Sequence, residues 1–441
     1  MDANQRAKAR KRGYEEKLAP FPVTLNAKKS VGRFLTAKKD IAIGETVLIE
    51  RAFATVLFQS SISLNCALCF RKSSPLFACA DCHSQVTYCS LDCQESARKS
   101  HKIVCKIFAN IAGISGSSGA DDSLVRLIAS CLAEKHLSGP SLEVEQVDYM
   151  VSHAAMAENS WTSSIFSAAE DIVTYLPFQC STNQILKLGL QINANSFAIY
   201  DPYSAKTAII GTGVYPLAAL CNHSCFPNIH YTTNAAGCLE FIAIENLSAG
   251  QEIFDTYTDI YAGFDKRQYS LLFEKSFICK CLRCIDQSPS QTMQGLIGGC
   301  HDDLDDLKNI SLQIEDFIKI GQFEVCYTLA HKWLLNSRTI LHENHHLRLE
   351  VLVLMTNICV KLQDLDSAIM YTQKAYRIME ETGPKLWPEK TDLQIELAHM
   401  LMLKDPEKGR ELMMEALDSL GKLYGPNHQR SRRLQGILSL D

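Results

Sequence analysis

The sequence predicts an α+β fold: a core of short strands, interrupted by a metal-binding block and followed by a helical array. Three observations point to it. Strand-like runs fall in two separate stretches, at about 31–58 and 195–258. Between them, residues 66–105 carry four consecutive close pairs of cysteine or histidine. From about 303 onward strand signals all but vanish, and helical windows alternate with short breaks. The 441 residues, 46% of them hydrophobic, suffice for about three domains. A net charge of −5 argues against a chain-wide nucleic-acid footprint. No apolar run approaches the ~18 residues of a membrane span.

From the N-terminus, residues 6–17 are basic and then mixed, a composition that fits a solvated helix or a frayed terminus better than a nuclear-import patch. The opening MDANQRAKARKRGYEEK has no apolar core of a secretory signal, so a reducing compartment is expected. Residues 31–58 read as strands, broken at Asp40 and Gly44. ISGSSGADDS (114–123) reads as a Gly/Ser-rich link, and 124–192 as helical. The second strand block follows, punctuated by Gly, Asn and Pro. In the tail, breaks at Gly321, Asn344, Asp364, Gly383, Pro388, Pro406 and Gly425 space into helix pairs of roughly 40–45 residues. LHENHH (341–346) resembles LYGPNH (423–428), each followed by a further helical window. About three helical hairpins stacked as a solenoid are predicted.

Cysteine is the unusual component, with 18 residues unevenly spread. In a reducing compartment, paired cysteines mean metal or catalysis rather than disulfides. Cys66-x2-Cys69, Cys79-x2-Cys82, Cys89-x3-Cys93 and His101-x3-Cys105 supply eight ligands, hence two tetrahedral structural zinc sites. A block of some 40 residues builds little core unaided, so the metals would stabilise it directly. Further on, Cys279-x-Cys281-x2-Cys284 offers three thiolates, and Cys225 is the natural fourth if the fold brings it near. Cys225 ends Asn222-His223-Ser224-Cys225, a dense polar segment between apolar runs that is costly unless it bonds something specific. The seven remaining cysteines, Cys131, Cys180, Cys221, Cys238, Cys300, Cys326 and Cys359, read as small buried hydrophobes.

These motifs resemble known families. The block at 66–105 resembles the MYND zinc finger, whose interleaved pattern would put Cys66, Cys69, Cys89 and Cys93 on one zinc and Cys79, Cys82, His101 and Cys105 on the other. GRFLTAKKDIAIGE (32–45), Asn195-Ser196-Phe197, Asn222-His223-Ser224-Cys225, Asp255-Thr256-Tyr257 and the last cysteines together resemble a SET domain with its post-SET zinc cluster. Their order, with a helical array at the end, resembles the SET-and-MYND family of protein-lysine methyltransferases. The resemblance implies a SET β-core with an inserted MYND finger and a TPR-like C-terminal array. Its parts would be 20–60 and 193–260 for the SET core, 66–105 for the finger and 115–192 for a helical insert. The zinc cluster would occupy 261–290 and the array 300–441. It further implies methyl transfer from S-adenosylmethionine to a lysine amine, with Arg33, Asn195, Asn222 and His223 at the cofactor. Phe277 would pack on its adenine, and Tyr257 would stand beside the sulfonium methyl. Three zinc ions are implied.

The sequence departs from the family at four positions. Arg98 stands where the finger commonly has tryptophan, and Phe34 where the opening turn has a small residue. Lys275 replaces a second tyrosine of the lysine channel, and Phe226 an aspartate after the Asn-His-Ser-Cys core. Lys275 and Phe34 favour the rival reading, a non-catalytic adaptor that binds partners through finger and array. The intact Asn195, Asn222, His223 and Tyr257 favour the enzyme. DNA binding by the finger is not expected, since five basic residues face three acidic ones within it. A monomer in cytosol or nucleus, acting on a protein lysine and contacting no membrane, is the expectation.

Overall fold

A computed structural model of the chain describes residues 3–29, 32–152, 159–204, 207–285, 293–298 and 301–439; Cys300 lies outside them. Helix α1 (Ala3–Leu18) opens the chain. Lys11 and Arg12 on it are well exposed, as a solvated helix requires. Its C-terminal turns are anchored instead of frayed: Tyr14 and Leu18 are buried, and Lys17 reaches Glu143 at 3.1 Å.

Strands β1 (Val23–Lys28) and β2 (Gly32–Ala37) form an antiparallel hairpin. The outer edge of β2 takes up a distant segment, with Ile253 N–H donating to the Leu35 carbonyl at 2.9 Å. Strands β3 (Thr46–Glu50) and β4 (Ala54–Leu57) come next, and each waits for a partner from beyond residue 195. The insert between them and those partners begins with the short hairpin β5 (Phe77–Ala78) and β6 (Thr87–Tyr88). Helix α2 (Leu91–Ala109) follows, capped by the Ser90 hydroxyl, which accepts from Cys93 N–H at 3.2 Å. The predicted link at 114–123 is different in the structure. Helix α3 (Ile111–Ser118) runs through its first half because Ile114 is buried; Gly119, at φ +71°, ends the helix. The Asp121 carboxylate then caps α4 (Asp122–Ser138), accepting from Ser123 N–H at 2.9 Å and Leu124 N–H at 3.0 Å. With α5 (Leu142–Asp148), α6 (Asn159–Tyr175) and α7 (Thr182–Asn195), these helices bury one apolar cluster around Val125, Cys131 and Ile165.

The chain then re-enters the core. β7 (Ser196–Tyr200) and β8 (Ile209–Val214) complete a sheet ordered β4-β8-β7, while β10 (Ile229–Thr233) and β11 (Leu239–Ala243) complete β10-β11-β3. Burial alternates along β7, with Phe197 and Ile199 inside, the period-two signature of a half-buried strand. Phe197 meets Tyr215, Tyr231 and Phe241 edge to face, at 6.0, 5.3 and 6.2 Å between ring centres. Two very short strands, β9 (Asn222–His223) and β12 (Phe254–Asp255), lie parallel, with Phe254 opposite Asn222 and Asp255 opposite His223. Helices α8 (Phe264–Lys275) and α9 (Leu282–Ile285) finish this part.

From residue 301 on, the described residues form seven helices: α10 (His301–Lys319), α11 (Phe323–Ser337), α12 (His346–Lys361), α13 (Leu365–Thr382), α14 (Pro388–Met402), α15 (Pro406–Tyr424) and α16 (Gln429–Leu438). They make three hairpins and a closing helix. Of the predicted breaks, Gly321, Asn344, Asp364, Gly383 and Gly425 fall between them, while Pro388 and Pro406 are the first residues of α14 and α15, where proline's missing N–H costs nothing. The repeated Asn-His pair has a common job: His345 Nδ1 accepts from Leu347 N–H and His428 Nδ1 from Arg430 N–H, each at 3.2 Å, capping α12 and α16. The array packs against the core through a shared apolar cluster. Ile244, Ile260 and Tyr261 of the core meet Met379, Leu386 and Trp387 of the array there. Trp387 also stands edge-on to His230, at 5.3 Å.

Candidate active site and metal centres

Three groups of four Cys or His residues gather among the described residues, each with ligand atoms within 4.8 Å of one another. They are Cys66, Cys69, Cys89 and Cys93; Cys79, Cys82, His101 and Cys105; and Cys225, Cys279, Cys281 and Cys284. In the finger, α2 does the sorting. Cys93 in its first turn faces one set, while His101 and Cys105, one turn apart, face the other. A tetrahedral zinc with ~2.3 Å bonds to sulfur separates its sulfurs by about 3.8 Å. The spacings fit: Cys69 to Cys89 is 3.5 Å, Cys89 to Cys93 3.6 Å, and Cys79 to Cys105 3.9 Å. Burial lowers the pKa of His101, keeping the imidazole neutral, the form that binds metal.

The third group joins segments more than fifty residues apart. Cys225 Sγ lies 3.9 Å from Cys279 and 3.6 Å from Cys284. Gln268 on α8 clasps Cys279 by both backbone groups, donating to its carbonyl at 3.0 Å and accepting its N–H at 2.9 Å. Two buried arginines stand beside the sulfurs. Arg267 Nη2 is 3.9 Å from Cys284 Sγ, and Arg283 Nη1 donates to the Cys225 carbonyl at 2.8 Å. Four thiolates around a divalent zinc carry a net charge of about −2, and two buried guanidiniums balance it. The donor set and its surroundings therefore suit zinc at all three places.

Above that third group lies a corner of polar and aromatic side chains. The parallel pairing of β9 with β12 puts His223 next to Tyr257. His223 Nδ1 accepts from Tyr257 N–H at 2.9 Å, which leaves Nε2–H to face Cys225 Sγ at 3.3 Å. Burial, with Arg267 adding to it, lowers His223 to about 4, so the ring is neutral. The Tyr257 hydroxyl donates to the Cys221 carbonyl at 2.6 Å. Burial, and then the neighbouring Asp255, push its pKa far above the ordinary value, so the phenol keeps its proton. Asp255 is itself buried and raised to about 7 by desolvation. Phe277 follows the left-handed turn at Ser276 (φ +58°), and its ring closes the corner at 5.9 Å from His223 and 6.5 Å from Tyr257.

The remaining residues singled out from the sequence are placed as follows. Asn222 Nδ2 donates to Glu252 at 2.9 Å. Asn195 ends α7 and donates to the carbonyls of Val151 and Gln191, both at 2.7 Å. Arg33 donates to the Tyr14 hydroxyl at 2.9 Å and the Tyr149 carbonyl at 2.6 Å. Arg33 and Asn195 thus grip the same strip, 149–151, which Gln191 also holds through the carbonyls of Asp148 and Met150. Phe34 alternates with Arg33 and Leu35 along β2 and points to the opposite face of the hairpin. Lys275 turns inward, its Nζ donating to the carbonyls of Asn193 at 3.4 Å and Ala194 at 3.2 Å. Sequence reasoning missed Glu252, Gln191, Gln268 and the two buried arginines. Each acts through a partner remote in sequence, and no local spacing marks such a residue.

Comparison with known proteins agrees with this geometry. The SET domain family model matches residues 32–258. N-lysine methyltransferase SMYD2-A of Xenopus laevis is 24% identical over 427 residues, covering 93% of this chain and 96% of that protein. N-lysine methyltransferase SMYD2 of Homo sapiens is 23% identical over 422 residues, covering 90% and 93%. A solved structure of the SET domain of LSMT bound to lysine and AdoHcy covers 98% of this chain and 91% of that one, but its TM-score of 0.31 and 11% identity carry no structural argument. With half of its length matched by that family model and three metal-ready clusters in the order the motifs require, the chain belongs to the SET domain family, as one of its SET-and-MYND members.

Proposed function

We propose that this chain transfers a methyl group from S-adenosylmethionine to the ε-amine of lysine in a protein substrate. The observation that carries the reading is the corner of Asn222, His223, Tyr257 and Phe277, closed by four cysteines drawn from two distant segments. Bound there, the cofactor supplies an electrophilic methyl on a sulfonium. The half-buried Phe277 ring offers a face for adenine, and Asn195, Asn222 and His223 line the approach. Arg33 borders it and acts by fixing the 149–151 strip, because its guanidinium is committed to Tyr14 and Tyr149.

The chain's residues have three tasks in such a reaction. They exclude water, which favours the neutral amine of an incoming lysine. They hold amine and methyl in line, where orientation supplies much of the acceleration. They surround the polarised methyl with oxygen: the protonated Tyr257 hydroxyl and nearby carbonyls make weak C–H···O contacts. No side-chain base is needed. Three zinc ions would hold the finger and the corner in shape. The division into core, finger, helical insert, zinc cluster and array given above belongs to the same proposal, as does action in cytosol or nucleus. Among the described residues no helix is long and apolar enough to cross a membrane.

Calorimetry with S-adenosylmethionine tests the reading first, followed by transfer of a labelled methyl group to histones and to a cell lysate. Tyr257→Phe is expected to bind cofactor and to lower turnover roughly 10–100-fold, as loss of an interaction of ~1–3 kcal/mol in the transition state would. A folded, zinc-loaded chain that binds no cofactor would instead be the partner-binding adaptor, a reading favoured by the inward turn of Lys275.

A further inference from the structure

The corner already contains a lysine, and it belongs to the chain itself. Lys275 is the last residue of α8, two positions before Phe277. Its Nζ is held by the carbonyls of Asn193 and Ala194, the two residues that precede Asn195. It also lies over the face of Tyr257, 5.7 Å from the ring centre. Among the described residues no carboxylate forms an ion pair with it. Burial lowers its pKa, with Glu274 and Asp255 opposing at longer range. These are the surroundings an acceptor amine requires. Carbonyl oxygens aim it, an aromatic face tolerates it charged or neutral, and its partial burial leaves water close enough to take its proton. No tightly paired carboxylate locks the proton on.

We propose that Lys275 is a methyl acceptor of its own chain, standing in the place of a substrate lysine and taking the methyl group from S-adenosylmethionine within one molecule. This rests on the methyltransferase reading above and names an acceptor for it. In the step, the amine first gives its proton to water. Its lone pair then forms the N–C bond as the S–C bond breaks, and the bonding electron pair stays on sulfur. The cofactor leaves as the neutral thioether S-adenosylhomocysteine, and the positive charge passes to the methylated nitrogen. That nitrogen still has N–H groups to donate to the carbonyls of Asn193 and Ala194. Because the acceptor is tethered beside the site, the reaction needs no encounter between molecules.

The test uses the full-length, zinc-loaded chain with labelled-methyl S-adenosylmethionine and no other protein. Labelled sites are mapped by mass spectrometry after digestion, and cofactor binding is measured on the same preparation. The expected result is label on the fragment containing Lys275, with a rate per molecule unchanged on dilution of the protein. Lys275→Arg keeps the charge and the donors, and should bind cofactor yet lose that label. If this variant does not fold, site mapping and dilution of the wild-type chain decide alone. Cofactor binding without label at Lys275 would overturn the inference and leave the methyltransferase reading standing. So would a rate per molecule that rises with protein concentration. No cofactor binding at all would overturn both.

Discussion

Buried polar side chains carry the least visible design at the scale of single residues. Glu50 ends β3 with almost no exposure, and its carboxylate accepts from Leu217 N–H at 2.9 Å and from Ala218 N–H at 2.7 Å. Desolvation outweighs these bonds and raises its pKa to about 7. The folded state thus holds the proton more tightly than the unfolded one. Its stabilising contribution is complete below about pH 4.5 and is lost as pH rises to about 7. Glu50→Gln keeps an acceptor and removes the titration. Chemical denaturation across this range should show the wild type losing on the order of 1–3 kcal/mol relative to the variant as pH rises. The same scale shows what a motif can and cannot tell. Asn222, His223 and Tyr257 were legible because short polar signatures mark them. Glu252, which receives the Asn222 amide, was not, because it pairs thirty residues away across the β9–β12 contact.

Elements depend on their ends and on the charges beside them. His428 caps α16 with its side chain, so His428→Ala should cost about 0.5–2 kcal/mol, and His428→Asn should recover most of it. A thermal melt measures both. The internal likeness of 341–346 and 423–428 was readable because a cap is a local interaction, set by neighbours two residues on. The Gly/Ser-rich 114–123 was misread for the converse reason. Composition favours a link there, but burial of Ile114 in the insert's core holds the first half helical. Around the third cysteine group, Arg283 comes from α9 and Arg267 from α8. Arg283→Met leaves the thiolate-rich group short of one compensating charge. We expect that variant to surrender one metal ion to a chelator well before the other two, as elemental analysis during a chelator titration would show.

On the scale of the whole molecule, one cysteine cluster ties the corner of His223 and Tyr257 to the segment after α8, while the apolar cluster that the array shares with the core is built mostly from the array's own residues, around Trp333, Met355 and Tyr371. Stripping all zinc should therefore abolish cofactor binding and loosen the finger while leaving most of the helical circular dichroism signal. Loss of the helical signal in step with the metal would refute that separation. The sequence by itself determined the class of fold, the three ligand groups and the order of the motifs. These are local or strongly spaced signals: thiolates fall in close pairs, strands and helices have their own periods, and helices end where glycine, proline or a cap stops them. Only the tertiary structure decided which distant segments meet. It brought β3 to β11, β12 and the Tyr257 that follows it to Asn222 and His223, and the array to His230 and Tyr261. It also turned the Lys275 Nζ toward the carbonyls of Asn193 and Ala194. Such meetings are fixed by burial and packing summed over the whole chain, and no window of sequence contains that sum.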